Sequence, residues 1–137
     1  MKTASAFVAF ALLAALVTGA PALADNHEKF YEMRTYYAAE GKFDALNARF
    51  RDHTLRIFAK HDMEVVGFWI PTDEEASKNT LIYILAFSSE EARANSWKAF
   101  GTDPEWQKVA EESQKDGRLI TKIDSVMMTP TDYSPMK

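Results

Sequence analysis

The sequence predicts an α+β domain, in which a four-stranded antiparallel sheet carries helices on one face. Four segments have strand length and are rich in aromatic and β-branched residues. Between them lie regions with the apolar period and the start signals of helices. The elements follow the order strand, helix, strand, strand, helix pair, strand, which is the ferredoxin-like βαββαβ arrangement.

The first strand is predicted from Lys29 to Tyr37, because this segment is aromatic and contains neither Gly nor Pro. Side chains alternate between the two faces of a strand. One face carries Tyr31, Met33, Thr35 and Tyr37, and the other carries Phe30, Glu32, Arg34 and Tyr36. The second set combines two opposite charges with aromatic rings.

A single amphipathic helix is predicted from Gly41 to His61. Its apolar residues recur at helical spacing, namely at Phe43, Leu46, Phe50, Ile57 and Phe58. The second strand is predicted from Met63 to Ile70, where Pro71 stops it, and the third from Thr80 to Phe87.

Two helices and a strand complete the predicted order. Ser88 and Glu91 form a capping box at the start of the first of these helices. Pro104 begins the next helix, where its missing N–H costs nothing, and Gly117 marks its end. The last strand is predicted from Arg118 to Thr129.

The amino terminus has the features of a secretory signal peptide. Lys2 supplies a positive charge, Ala4–Val17 is apolar, and Ala22-Leu23-Ala24 is a small-x-small cleavage site. The apolar stretch is shorter than the about 20 residues that a membrane-spanning helix needs. We therefore predict that residues 1–24 are a cleaved signal peptide. Residues 25–137 would be one exported domain, periplasmic or secreted and not inserted in the membrane.

Composition excludes several classes of function. The chain has 16 Lys and Arg residues against 20 Asp and Glu residues, and it contains no cysteine. An acidic chain without clustered basic residues is a poor candidate for binding nucleic acid or anionic lipid. The lack of cysteine excludes disulfides, thiol catalysis and zinc–thiolate sites.

Both faces of the predicted sheet are apolar. In the third strand, the two alternating sets are Leu81, Tyr83, Leu85 and Phe87 on one side and Ile82, Ile84 and Ala86 on the other. Helices cover one face, and a second apolar face in water would form a large exposed patch. The segment from Pro130 to Lys137 is short and polar, so we do not expect it to cover that face. We expect instead a homodimer whose two sheets pack face to face.

Four segments resemble the NIPSNAP family of the dimeric α/β-barrel superfamily. They are Tyr31-Glu32-Met33-Arg34-Thr35-Tyr36, the predicted helix from Gly41 to His61, Val65-Val66-Gly67-Phe68-Trp69 and Asp103-Pro104-Glu105-Trp106, within the span from Tyr31 to Met128. The resemblance implies a ferredoxin-like subunit and closure of two subunits into a barrel, but no particular reaction. Family members usually have Gly where this chain has Asp62, and aspartate tolerates the left-handed backbone conformation.

The matched strand motif supplies the main candidate site. Glu32 and Arg34 share a strand face with Tyr36. If that face points into the barrel, the two charges lie in an apolar cavity. One interpretation is a buried ion pair that fixes the strand register or the dimer seam. The other is that Arg34 binds a carboxylate or enolate of a small apolar or aromatic ligand, which Glu32, Tyr36, Phe68 and Trp69 help to line.

His53 is the candidate catalytic residue of an alternative hypothesis. It lies between Phe50 and Ile57 at a spacing that predicts a position on or near the inner side of the helix. An imidazole there could act as a general base. Related barrels include monooxygenases that use no cofactor, which is an analogy at the level of fold. We predict no cofactor, and a third hypothesis is a structural or interaction module without a ligand.

One metal-binding hypothesis concerns the predicted new amino terminus. Cleavage after Ala24 would leave Asp25-Asn26-His27, with a histidine third from a free amine, an arrangement that can hold Cu(II) or Ni(II). The other two histidines do not form a site together, because His53 and His61 are about 12 Å apart along one helix.

Overall fold

The computed structural model describes residues 28–137. The predicted signal peptide, residues 1–24, and the predicted metal ligand His27 lie outside the described residues. Within residues 28–137, no helix has both the length and the apolar character needed to span a membrane.

The described chain contains a four-stranded antiparallel sheet. Its strands are β1 (Phe30–Ala38), β2 (Glu64–Trp69), β3 (Thr80–Phe87) and β4 (Ile120–Met128). They lie in the order β2-β3-β1-β4, and all three neighbouring pairs are antiparallel. The helices are α1 (Phe43–Arg49), α2 (Leu55–Lys60), α3 (Glu90–Thr102) and α4 (Pro104–Ser113). This arrangement confirms the predicted ferredoxin-like fold.

The first predicted helix is interrupted by a π-helical turn, Phe50–Thr54, which joins α1 to α2. The backbone N–H of Leu55 donates to the carbonyl of Phe50, and the Thr54 hydroxyl donates to the carbonyl of Arg49 at 3.2 Å. Buried side chains recur every fourth residue, at Leu46, Phe50, Thr54 and Phe58. Four residues of a regular α-helix turn through about 400°, so that stripe would drift by about 40° at each step. The wider π-helical turn brings the stripe back toward the sheet.

Helix caps and one left-handed residue fix the ends of the elements. Ser89, rather than the predicted Ser88, caps α3. Asp103 caps α4 by accepting the backbone N–H of Glu105 at 2.9 Å. Asp62 has a φ of 55°, the left-handed conformation that we expected it to tolerate.

The core lies between the sheet and the helices. Its fully buried centre is Tyr83 of β3, which stacks on Phe68 of β2 with a ring-centroid distance of 5.2 Å. Phe50 and Phe58 bring the helical layer onto the Tyr83 ring at 5.3 and 6.0 Å. Burial of each such side chain contributes about 1.5–3 kcal/mol, so this layer dominates the stability of the subunit.

The opposite face of the sheet has no helix among residues 28–137. Met33, Ile82 and Ile84 are partly exposed there, and Trp69 and Val126 are 48% and 47% exposed. This open face is the second apolar face that the strand pattern predicted.

The C-terminal segment, residues 130–137, covers one end of the open face, contrary to our expectation. The hydroxyl of Tyr31 donates to the carbonyl of Lys137 at 3.2 Å, and the Lys137 ammonium donates to two carbonyls within the segment. A cavity of about 280 Å³ lies between this segment and the side chains of Tyr31 and Ile84. The segment is short enough to leave Trp69 and Val126 exposed.

Candidate functional site

The strand motif of β1 lies on the helix-covered face of the sheet. Glu32 and Arg34 are paired with Leu85 and Tyr83 of β3, which belong to the core. The face that carries Glu32 and Arg34 therefore does not point into a barrel between two sheets, and that expectation was wrong. The reason is the strand alternation: Tyr36 belongs to the core, so residues two and four positions before it must face the helices as well.

Glu32 is fully buried, and each of its carboxylate oxygens accepts two hydrogen bonds. Oε1 accepts from Nη1 of Arg34 and Nη2 of Arg93, both at 2.9 Å. Oε2 accepts from Nε of Arg93 at 2.8 Å and from the Trp97 indole at 2.6 Å. Burial favours the neutral carboxyl, but the bonds from Arg93 and Trp97 and the two positive charges outweigh burial and lower the pKa of Glu32. Glu32 is thus a carboxylate with its acceptor positions filled.

Arg34 has hydrogen-bond donors that remain unused. Its guanidinium lies 4.3 Å from the centre of the Trp97 ring and 5.5 Å from that of Tyr36. Within the described residues only Nη1 donates a hydrogen bond, and the buried Nε has no partner. Burial opposes the charge, but Tyr36, Tyr83 and Glu32 together raise the pKa of Arg34. The side chain is 16% exposed, so a fixed cation reaches the edge of the core.

The β4 strand next to Arg34 is exposed on the same face. Ser125 is paired with Arg34, and Ile123 and Met127 are paired with Tyr36 and Glu32. All three β4 side chains are exposed, and two of them are apolar. The open edge of the Arg34 guanidinium therefore borders a mainly apolar strip, which we name the β4 strip (Ile123, Ser125 and Met127).

The other two predicted lining residues lie on opposite faces of β2. Phe68 faces the helices within the core cluster. Trp69 lies on the open face, where its indole covers Gly67 so closely that a Cβ at Gly67 would come within 2.8 Å of the ring. Glu32, Arg34, Tyr36 and Phe68 therefore share one face, and Trp69 does not.

His53 lies in the π-helical turn and is exposed, not on the inner side of the helix. It is at the rim of a cleft between α1 and α4. Neither Arg34 nor Tyr36 lines that cleft, so the structure does not bring His53 together with the strand motif.

Arg49 is a buried cation that the sequence pattern did not single out. It is 6% exposed and lies in the cleft that His53 borders. Its Nη1 donates a long hydrogen bond of 3.4 Å to the Ser113 hydroxyl, and its Nε has no partner within residues 28–137. Burial lowers its pKa, although the hydroxyls of Tyr36 and Tyr83 act against burial. One feature of the sequence could have indicated its burial. Arg49 stands directly before Phe50, which belongs to the apolar stripe of the predicted helix.

The described part of the chain contains no group of three His, Asp or Glu side chains that could hold a metal ion. The copper or nickel hypothesis for His27 is not affected, because that residue lies outside the described part.

Comparison with known proteins shows similarity to NIPSNAP proteins. A NIPSNAP family protein of unknown function from Agrobacterium tumefaciens strain C58 is 30% identical, with a TM-score of 0.69 over 82% of this chain and 96% of that chain. A NIPSNAP-like domain protein from Burkholderia xenovorans is 17% identical, with a TM-score of 0.68 over 80% of this chain and 90% of that one. The second of these comparisons shows the fold alone.

A more distant similarity of fold extends to a candidate antibiotic biosynthesis monooxygenase from Chloroflexus aurantiacus. It is 15% identical, with a TM-score of 0.51 over 80% of this chain and 99% of that chain. A separate comparison, with curated proteins, found no match.

The NIPSNAP family model matches residues 31–135. That range includes the whole span in which the four motifs resembled the family, and the fold of the described residues agrees with it. On this basis the chain belongs to the NIPSNAP family.

Proposed function

We propose that this NIPSNAP protein is an exported homodimer that binds a small apolar or aromatic ligand, with Arg34 holding a carboxylate or enolate of that ligand. The observation that carries the proposal is the guanidinium of Arg34. It is held in place by Trp97 and Glu32, is only partly exposed, and has donors without partners among residues 28–137. A planar cation fixed in this way suits bidentate binding of an anion.

The charge balance around Glu32 supports the same ligand chemistry. One carboxylate is shared by two guanidiniums, those of Arg34 and Arg93. A structural role in fixing the strand accounts for the four bonds to Glu32. It does not account for the remaining donors of Arg34, which a second negative charge would satisfy.

The ligand would lie on the β4 strip, not in an enclosed pocket. Arg34 lines none of four cavities found among the described residues. The exposed side chains of Ile123 and Met127 offer apolar contact beside the guanidinium. This placement keeps Arg34, Glu32 and Tyr36 in the proposed site. It leaves out Phe68 and Trp69, which belong to β2 at the opposite edge of the sheet from β4.

The open face supports the homodimer. Trp69 and Val126 remain about half exposed after the C-terminal segment has covered one end of the face. Packing two such faces around a two-fold axis would remove them from water. Export follows from the pattern of residues 1–24, and amino-terminal sequencing of the purified protein should then begin at Asp25.

Binding is preferred to the monooxygenase hypothesis because His53 is exposed and borders a cleft that Arg34 does not line. A general base of that mechanism needs a position close to the substrate from which water is excluded.

Titration with benzoate, phenylacetate and neutral benzamide tests the proposed function. We expect the two carboxylates to bind and the amide to bind weakly, because only a carboxylate can pair with Arg34. The Arg34→Met variant should lose about tenfold or more in affinity for benzoate. Arg118→Met is the matched control, because Arg118 is exposed and forms no ion pair within residues 28–137.

Equal affinity for benzoate in the Arg34→Met variant would remove the proposed site. Native mass spectrometry of protein purified from the exporting cell provides a second readout. It should report two subunits and a retained small molecule that the Arg34→Met protein lacks.

A further inference from the structure

The cleft between α1 and α4 has a buried cation at its floor. It has a volume of about 320 Å³, which lies in the range of small-molecule sites. Arg49 and two alanines line it from α1, and Val109 and Ser113 line it from α4. The alanines are Ala45 and Ala48. Ala45 lies three residues before Ala48 and four before Arg49, so the three residues share one side of the helix. The short alanine side chains leave the space above the guanidinium open.

Arg49 lacks an anionic partner in the described chain. Within residues 28–137, its side chain donates one hydrogen bond, to the Ser113 hydroxyl, which is long at 3.4 Å, and no carboxylate is among the groups that shift its pKa. The ring of Trp106 lies 5.2 Å from the guanidinium. A buried charge is costly unless it is paired and hydrogen-bonded, and here Nε has no partner at all. An anion in the cleft would remove that cost.

The mouth of the cleft has the opposite charge from its floor. Asp52 and Glu112 are exposed carboxylates that line it from the two sides, and His53 lies beside Asp52. A simple anion would meet the positive floor but would be repelled by this rim. A molecule with a negative group at one end and a positive group at the other matches both.

We propose that this cleft binds a small zwitterion of the amino-acid type. Its carboxylate accepts hydrogen bonds from the Arg49 guanidinium, and its ammonium donates to Asp52 and Glu112. The Ser113 hydroxyl is not a donor to the ligand, because it already donates to the carbonyl of Ala110 at 3.1 Å. The site does not depend on Arg34 or on the β4 strip, and either proposal can fail without the other.

The π-helical turn belongs to this site. It begins directly after Arg49, whose carbonyl accepts a hydrogen bond from the Thr54 hydroxyl. It also carries Asp52 and His53 to the mouth of the cleft. Such turns inside α-helices are frequent at functional sites.

Three probes of one carbon skeleton test the charge pattern: L-alanine, L-lactate and propionate. They carry an ammonium, a hydroxyl and a hydrogen, respectively, next to the same carboxylate. Binding is followed by the NMR signal of the Arg49 Nε–H, assigned by its absence from the Arg49→Lys variant. We expect a saturable shift of that signal, with affinity falling in the order alanine, lactate, propionate.

Two kinds of variant separate binding from folding. Arg49→Met removes the reporter signal itself, so alanine binding to it is measured by isothermal titration calorimetry. We expect no binding to Arg49→Met and unchanged binding to the control, Arg118→Met. Because Arg49 is buried, a variant of an exposed residue is needed as well. Asp52→Asn should weaken the binding of alanine by about tenfold and slightly strengthen that of propionate, because it removes one of the rim charges that repel a simple anion. The proposal is overturned if no probe shifts the Arg49 signal, if propionate binds as tightly as alanine, or if Asp52→Asn weakens both equally.

Discussion

At the scale of single residues, Glu32 is the group on which the buried polar cluster depends. It is the common acceptor for Arg34, Arg93 and Trp97, which reach it from β1 and α3. Glu32 balances the charge of the two guanidiniums only while it is ionised. The cluster therefore links the ionisation of one carboxyl to the positions of three other side chains.

We predict that Glu32→Gln lowers the free energy of unfolding by about 3–5 kcal/mol at neutral pH, because it leaves two partly buried guanidiniums without a counter-charge. The pKa of Glu32 is lower in the folded chain than its ordinary value of 4.5. Its stabilising effect is therefore complete above about pH 4.5 and is lost as the pH falls toward the folded pKa. Urea denaturation as a function of pH should show a smaller loss of unfolding free energy on acidification for Glu32→Gln than for the wild type.

The control for this prediction is Glu90→Gln, an exposed residue in the first turn of α3. It should change the unfolding free energy far less. A Glu32→Gln protein with wild-type stability across the pH range would contradict the proposed charge of the cluster.

At the scale of elements, the π-helical turn Phe50–Thr54 holds the two halves of the first helix in register with the sheet. Its buried Thr54 contributes a methyl group to the core and a hydroxyl to the carbonyl of Arg49. We expect Thr54→Val, which keeps the shape and removes the hydroxyl, to cost about 1–3 kcal/mol of unfolding free energy. Thr54→Ser keeps the hydroxyl and serves as the matched variant. If Thr54→Val were as stable as the wild type, the hydroxyl would have no part in supporting the turn.

A second element-scale feature is the contact between the end of α2 and the start of α4. Oδ2 of Asp103 accepts from the Lys60 ammonium at 2.7 Å and lies 2.7 Å from Nε2 of His61, while Oδ1 caps α4. Hydrogen bonds from Lys60 and His61 hold the pKa of Asp103 far below its ordinary value. The Asp103 side chain thus binds the end of α2 and also caps the start of α4.

We predict that Asp103→Asn lowers the Tm by a few degrees and that Asp103→Ala lowers it further, because asparagine keeps the cap oxygen but not the charge. The stabilising charge is fully present above the ordinary pKa of 3.8 and is lost only as the pH falls below it. Thermal unfolding of the three proteins at neutral and acidic pH measures this. Equal Tm values for Asp103→Asn and Asp103→Ala would show that the cap contributes nothing.

At the scale of the whole molecule, the proposed homodimer rests on the open face. The helix-covered face is filled by the core, while Trp69 and Val126 remain exposed on the other side. We predict that the Trp69→Asp and Val126→Asp double variant is a folded monomer, since neither side chain belongs to the core. Light scattering after size exclusion should give two subunits for the wild type and one for the variant.

Leu55→Asp is the control for the dimer prediction, because Leu55 is an exposed apolar residue of α2, away from the open face. It should leave the subunit number at two. A wild-type protein that remains a soluble monomer at all accessible concentrations would refute the dimer.

The sequence alone determined the order of the elements, the ferredoxin-like class and the family. These depend on local signals: the alternation of β1, the helical period after Gly41, and the start signals of α3 and α4, although the cap of α3 is Ser89 and not Ser88. Such signals act between residues that are close in the chain, so they can be read without knowing the tertiary packing.

Only the tertiary structure decided which face of β1 meets the helices and which arginines are buried. Alternation places Glu32, Arg34 and Tyr36 together, but it does not say whether helices or a second sheet will cover them. The Trp97 ring that packs on Arg34 and the Ser113 hydroxyl beside Arg49 come from α3 and α4, more than fifty residues further along the chain. Their burial and unused donors arise from packing between distant segments, which no local pattern specifies.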